Sequence, residues 1–468
     1  MDFRYPNCRN SQMGPDPNGS NNNSNAINHR PQQSNFNGLN AIYGTLCKLY
    51  PRQNNPPQIT AKKKWWLGGS DPLDFVSVYI NKGDPQRNVP SHWHYVSMGF
   101  SDLYGDGRIY PKNNDPSKPS GQGYELTFRL LRDDQDVDSF ENGISVWSDP
   151  PVWPAAVMQQ MARWAFNDTR FSVGEAITWH VPLDGSSQSS GVRHLLLVDD
   201  EQLPPISTQN GYVQFIQLYG IFIEEVTAVQ RWNGREIARL LKSHYQTGGP
   251  YLITNMNRRA SIFDIIPDAR QIVNSGINRD GSNLTGVHVN WCYWNEWNHS
   301  GAFSRASQTL KDQNGSQSGV SLPGVEIFLT PEAALSLPMM VTGRLNHGYL
   351  FSFVKSTNPR QIISFLSPNN CNNVQANAYT PYVALAIYVQ PIFSYNNVLQ
   401  LFMTIKVKIT DYLKRGFLLQ VYVSIELQQA MKIAFRELEV SGSTWTLPLP
   451  REYAFTDFNM RIVVTANL

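Results

Sequence analysis

From Leu39 to Trp297 the large apolar residues fall into short runs separated by glycine, proline and asparagine. DFVSVYI (74–80), HWHYVSMGF (92–100), YELTFRLLR (124–132), RHLLLV (193–198) and VQFIQLYGIFI (213–223) are β-branched and aromatic and read as strands. KKKWWLGG (62–69) and EAITWHVPL (175–183) read the same way. Two stretches change to a helical period. In WPAAVMQQMARWAF (153–166), Pro154 suits the first turn and Val157, Met161, Trp164 and Ala165 share one face. In NGREIARLLKSH (233–244), Asn233 can cap, Glu236 can close a capping box, and Ile237, Leu240 and Leu241 form the stripe.

Residues 298–322 lose that apolar content and read as a flexible linker. Beyond them a second strand-rich block follows: GVEIFLT, MMVTGRLNHGYLFSFV, QIISFLS, YVALAIYV, LQLFMTIKVKI, LLQVYVSI, WTLPLP and MRIVVTA. One helix, from about Glu426 to Glu439, interrupts it. Residues 6–37 are Asn-, Ser- and Gln-rich, hold almost no large apolar residue, and cannot offset the entropy of ordering. The expected class is α+β. Two mixed α/β domains, each a strand-rich sheet with a few packed helices, are joined by a hinge or linker and preceded by a disordered tail.

Composition narrows the function. Lys and Arg number 39 against 37 Asp and Glu, a net charge of +2, so no basic excess points to nucleic acid. The longest apolar run, YVALAIYVQPIF (382–393), is too short to cross a bilayer. Cys8, Cys47, Cys292 and Cys371 make no CxxC pair, and a reducing compartment is expected.

Candidate chemistry starts at His92 and His94, spaced as two ligands on one strand face, with Asp102 and Asp106 close behind. A metal-dependent hydrolase on these histidines is one alternative, but no HExxH or comparable third ligand accompanies them. The blander reading is a strand whose histidines hydrogen-bond internally. No nucleophile elbow or P-loop is present, and Gly121-Gln122-Gly123 precedes a strand rather than a helix. Asp199-Asp200-Glu201 reads as a solvated loop. Arg258-Arg259-Ala260-Ser261 has the form of a basophilic kinase site.

The order WWLGGSDPLDFVSVY (65–79), HWHYVSMGFSDLYGDGR (92–108), GYELTFRL (123–130), WHVPLDGS (179–186), RWNG (231–234), GGPYLIT (248–254) and DGSNLTGV (280–287) resembles the Suppressor of fused family. The resemblance is dense from about Leu39 to Trp291 and thinner beyond, where TGRLNHG (342–348) and LPREYAF (449–455) anchor it. Together with the composition, which marks the tail and the linker, it divides the chain into a tail (1–37), an N-terminal domain (38–285), a hinge strand (286–297), a linker (298–322) and a C-terminal domain (323–468). The resemblance also implies a non-enzymatic negative regulator of Hedgehog signalling, cytoplasmic and also nuclear, with no cofactor and no metal. The implied partner is a Gli/Cubitus interruptus zinc-finger transcription factor, whose Ser-Tyr-Gly-His-type segment lies as a strand between the domains. The kinase Fused and the kinesin-like Costal complex are further implied partners; a pure scaffold for kinase complexes is the other alternative. By family match, the peptide site comprises Trp164, Phe171, Gly174 and Glu175, then Val287 and Val289, then Glu332. Trp164 stands where relatives carry another aromatic and Glu175 where they carry aspartate. Phe171 matches directly.

Overall fold

The computed structural model describes residues 36–113, 115–132, 139–141, 144–146, 149–186, 190–297, 308–311, 317–359, 361–369, 376, 382–385, 418–440 and 445–466. The expected tail lies outside them as far as position 35. Contacts divide the chain into two compact units, Met1–Arg270 and Gln271–Leu468. Both are mixed, strand-rich and carry a few packed helices, which is the expected α+β class.

In the first unit, helix α1 (Asn37–Leu49) precedes strands β1 (Gln58–Thr60), β2 (Phe75–Asn81), β3 (His92–Met98) and β4 (Pro119–Leu131). A small hairpin, β5 (Ser139–Glu141) with β6 (Ile144–Val146), leads to helix α2 (Trp153–Ala165). Then come β7 (Ala176–Ile177), β8 (His194–Asp199), β9 (Ile206–Thr208) and β10 (Gly211–Ile221). Helices α3 (Ile223–Arg231), α4 (Gly234–Lys242) and α5 (Ile262–Ile265) follow, and α6 (Ala269–Asp280) crosses into the second unit. The main sheet runs β1-β2-β3-β4-β10-β8-β7, with β9 also on β10. Among its described strands only β4 and β10 pair in parallel.

Both faces of this sheet are covered, which is why every residue of β3 is buried. Val76, Val78, Trp93, Tyr95, Leu126 and Phe128 face α2. Phe75, Tyr79, Val96 and Met98 face α1, under Ile42, Tyr43 and Leu46. The α1 face also buries a row of polar side chains, and their order is set by one guanidinium. Arg129 donates from Nη2 to Asp200 Oδ1 at 2.8 Å, from Nη1 to Gln202 Oε1 at 2.8 Å and from Nε to Gln217 Oε1 at 3.2 Å. Its Nη1 also lies 3.0 Å from His92 Nε2. Asp200 Oδ2 takes Thr127 Oγ1 at 2.8 Å and His94 Nε2 at 3.0 Å. The other His94 nitrogen, Nδ1, lies 2.7 Å from Tyr50 Oη at the end of α1. Burial pushes the Asp200 carboxyl up, but the Arg129 guanidinium and His94 outweigh it and hold the group well below its usual range.

The second unit begins, after α6, with β11 (Gly286–Val289), β12 (Cys292–Glu296), β13 (Gln308–Lys311), β14 (Gln317–Ser321) and β15 (Val325–Leu329). Short helices α7 (Pro331–Ala334) and α8 (Leu337–Met339) precede β16 (Phe351–Lys355), β17 (Ile362–Leu366), β18 (Tyr382–Leu385) and β19 (Leu418–Tyr422). Helices α9 (Ile425–Ala434) and α10 (Arg436–Val440) and strands β20 (Arg451–Phe455) and β21 (Met460–Val464) complete it. Among the described residues these strands form one sheet, β11-β16-β17-β19-β18-β14-β13, and another, β12-β15-β21-β20.

Several elements differ from expectation. The contact division at Arg270/Gln271 puts residues 271–285 with the second unit, where a boundary after 285 was expected. Inside the expected linker, β13 and β14 pair as a hairpin within the second unit's sheet. An edge hairpin is held by its backbone ladder and needs few large apolar residues. KKKWWLGG makes a 3-10 turn, closed by Gly68 N–H donating to Trp65 O at 2.8 Å, with Gly68 at φ 80°. MMVTGRLNHG is helical, because a short apolar run fits either period. In EAITWHVPL the strand ends at Ile177, since Trp179 N–H donates instead to the His194 ring at 3.2 Å. WTLPLP forms no strand; Pro448 and Pro450 supply no ladder donor, and pairing begins at Arg451. In α4, Asn233 caps as expected, but Glu236 pairs with Arg239 rather than closing a box, and Leu240 is half-buried. LQLFMTIKVKI lies outside the described residues.

The buried histidines make a prediction. Burial, reinforced by Arg129, pulls His94 from 6.5 down to about 4, and His92 shifts in the same direction. As pH falls below 6.5 the unfolded chain takes up the proton that native His94 refuses. The His94 contribution to stability should therefore drop by roughly 3 kcal/mol between those two values. Urea midpoints across that range should slope less steeply in His94→Gln. Equal slopes in the two proteins would contradict the buried-neutral assignment.

Candidate functional site

The histidine pair can be settled from its hydrogen bonds. Pro90 O can only accept, so His92 Nδ1, 2.8 Å away, carries the proton and Nε2 accepts from Arg129. Asp200 is ionised, so His94 Nε2 donates to it and Nδ1 accepts from Tyr50, whose hydroxyl burial has pushed up to about 12. All four ring nitrogens are committed, and neither imidazole has a lone pair to give a metal. Among the described residues no group of three or more His, Cys, Asp or Glu side chains converges. Asp200, expected in a solvated loop, is instead fully buried; its neighbours Asp199 and Glu201 pair with Arg235 and Lys242 near the surface.

The SDLYGDG loop is likewise built inward. Buried Glu125 accepts from Ser97 Oγ and Ser101 Oγ, both at 2.6 Å, and from the backbone N–H of Gly99 and Ser101 at 3.1 and 2.9 Å. Asp102 Oδ1 accepts from Tyr104 and Gly105 N–H, and Asp106 pairs with Arg108. These carboxylates shape the loop, Asp102 through Oδ1 alone.

The first expected group of site residues lies where the first sheet ends. Among the described residues strand β7 is its last member and pairs on one side only, with β8. Just before β7, Gly174 N–H donates to Leu197 O at 2.8 Å and Glu175 O accepts from Leu197 N–H at 2.9 Å. Gly174 is at φ 96°, a left-handed conformation that glycine tolerates. Its carbonyl rests on Gly234, where an added Cβ would stand 1.9 Å from that oxygen. The RWNG motif thus provides a seat for this edge. Glu175 is exposed, and its carboxylate accepts only locally, from Ser172 N–H at 3.1 Å. Phe171 is buried in the α2-facing core, and Trp164, half-buried, packs on the same core. The Trp164 ring meets Trp179, with centroids 5.1 Å apart. Trp164 is therefore part core and part surface.

The second group lies in the other unit. Strand β11 ends the seven-stranded sheet and runs parallel to β16, with Val287 opposite Phe353 and Val289 opposite Lys355. Gly286 permits the approach, since a Cβ there would stand 2.3 Å from Ser352 O. Val289 is buried, Val287 half-buried and His288 exposed. Helix α7 lies against β11 and carries Glu332 on its exposed side, with Thr330 as its N-cap. The structure so gathers the expected residues into two sets, each at a sheet edge of its own unit.

Comparison with known proteins gives these edges a context. The family model described as Suppressor of fused protein matches residues 69–259, and that described as Suppressor of Fused Gli/Ci N terminal binding domain matches residues 298–411. A solved structure, the crystal structure of Drosophila Suppressor of Fused, matches with TM-score 0.69 and 28% identity, covering 95% of this chain and 100% of that one. The chain belongs to the Suppressor of fused family. The Suppressor of fused homologs of Homo sapiens and Mus musculus are each 47% identical over 260 residues, 55% of this chain. The chain spans about half the length of these curated relatives, 51% of each. A solved structure described as the Sufu-Fu complex matches at 42% identity, with TM-score 0.47, over 50% of this chain and 95% of that one.

Two residues of the first edge escaped the sequence reading. Trp179 follows β7 by two positions, and its spacing from Ile177 within FSVGEAITWH was the available signal. Gly234 was visible in RWNG, but its contact with Gly174 is tertiary and leaves no local trace. Gly234→Ala should displace the 171–177 segment and cost about 1–3 kcal/mol, as overpacking does. Hydrogen exchange is the direct check: faster exchange at Gly174 and Leu197 is expected, and unchanged protection would remove Gly234 from the site.

Proposed function

We propose that the chain is a non-enzymatic negative regulator of Hedgehog signalling that binds a Gli/Cubitus interruptus transcription factor through its Ser-Tyr-Gly-His-type segment. The carrying observation is that, among the described residues, the main sheet of the first unit and the seven-stranded sheet of the second each end in a short strand at the expected residues, β7 after Gly174-Glu175 and β11 with Val287 and Val289. A sheet edge presents unpaired backbone donors and acceptors, which an extended peptide can satisfy by adding as a strand. Trp164 and Trp179 offer an aromatic surface beside the first edge. Exposed Glu175 can meet a partner histidine, and Glu332 lies beside the second edge. The description of the family model over 298–411 supports the same partner.

In this reading, binding restrains the factor in the cytoplasm and damps its nuclear activity, and the kinase Fused and the Costal complex are further protein partners. Among the described residues no helix is long and apolar enough to cross a membrane.

Calorimetric titration of the full chain with a Ser-Tyr-Gly-His peptide tests the proposal. Saturable binding is expected. Glu175→Arg should weaken it at least tenfold, about 1.4 kcal/mol or more, without loss of fold, since Glu175 is exposed. Equal affinity in the variant would take Glu175 out of the site, and no binding by either protein would refute strand addition.

A further inference from the structure

We infer that the first unit carries a separate groove for an acidic, partly apolar peptide segment. A cavity of ≈ 830 Å3 opens between the turn at Lys82–Ser91 and the loops around 245–260. None of its lining residues belongs to the β7 edge or to the Trp164 surface. The size is that of an ordinary ligand site.

The walls are fixed in advance. The turn is closed by reciprocal backbone bonds between Asp84 and Val89, at 2.8 and 2.9 Å, and by Asn88 at φ 53°. Arg87 reaches across to Tyr251 Oη at 3.1 Å. On the far side Leu131 N–H donates to Thr254 O at 2.9 Å, tying the end of β4 to the loop.

Among the described residues the charge in this groove is one-sided. Lys82 and Arg259 are exposed at it, and neither has an ion pair among the described residues. Among the described residues no Asp or Glu is in its lining. The third cation, Arg258, is already neutralised: it grips Glu225 through two bonds of 2.8 and 2.7 Å and lies 4.6 Å over Phe222. Two uncompensated cations beside an apolar floor of Val89, Pro90, Leu131 and Ile253 favour a ligand with carboxylates and apolar side chains together. A bare inorganic anion would leave that floor wet. Tyr245, 64% exposed, adds an aromatic face. The adjacent Arg-Arg-Ala-Ser sequence does not serve as a modification site in this fold. Ser261 is 3% exposed and its Oγ donates to Asp264 at 2.8 Å as the cap of α5.

The test is fluorescence anisotropy on the full chain with a labelled, blocked decapeptide of alternating Glu and Leu, beside its Lys–Leu counterpart. The Glu–Leu peptide should bind saturably and weaken as salt is raised. The double variant Lys82→Glu/Arg259→Glu should lose at least tenfold in affinity, with an unchanged melting temperature and unchanged binding of the Ser-Tyr-Gly-His peptide. Failure of the Glu–Leu peptide to bind, equal binding of both decapeptides, or indifference to the double variant would overturn the inference. Displacement by millimolar inorganic phosphate alone would also do so, by marking a small-anion site. Concentration-dependent self-association abolished by the same variant would make the groove a contact between copies of this chain, again against the proposal.

Discussion

A guanidinium held at the centre of a sheet that is covered on both faces must have every donor satisfied, and the first unit is arranged around that demand. Arg129 lies on β4, and its carboxylate partner Asp200 lies just beyond β8, on the far side of β10. The pair therefore spans three strands. Its remaining hydrogen bonds recruit Gln217 from β10, both histidines of β3 and, through His94, the end of α1. Removing one member of a buried pair costs about 3–5 kcal/mol because the other charge is stranded. The network thus fixes strand order as much as it adds stability, and with it the position of β8, against which the β7 edge is laid.

The same demand explains what could be read beforehand. β2, β3, β4, β8 and β10 were legible because burial on both faces selects long β-branched and aromatic runs. Helices α2 and α4 were legible from their stripes. Asp200 was not, since its burial depends on Arg129, 71 residues away. The helical turns from Leu337 to His347 were hidden because their apolar positions fit a strand equally well.

The candidate site was legible only through family resemblance. β7 has two residues and α7 four, too few for a period to register. Brevity also has a physical use here. A long bare edge invites indiscriminate pairing, whereas a short one gives little to an arbitrary strand unless neighbouring side chains add to it. At β7 those neighbours are Trp164, Trp179 and Glu175.

The contact between Gly174 and Gly234 sets the height of that edge by the thickness of two main chains. Nothing with rotamers lies between them. Thermal hopping of side chains, which blurs most surface geometry on the picosecond to nanosecond scale, cannot work as a shim at this point. The edge and the start of α4 then travel as one body, so a ligand's strand would meet a rigid rail rather than a compliant one.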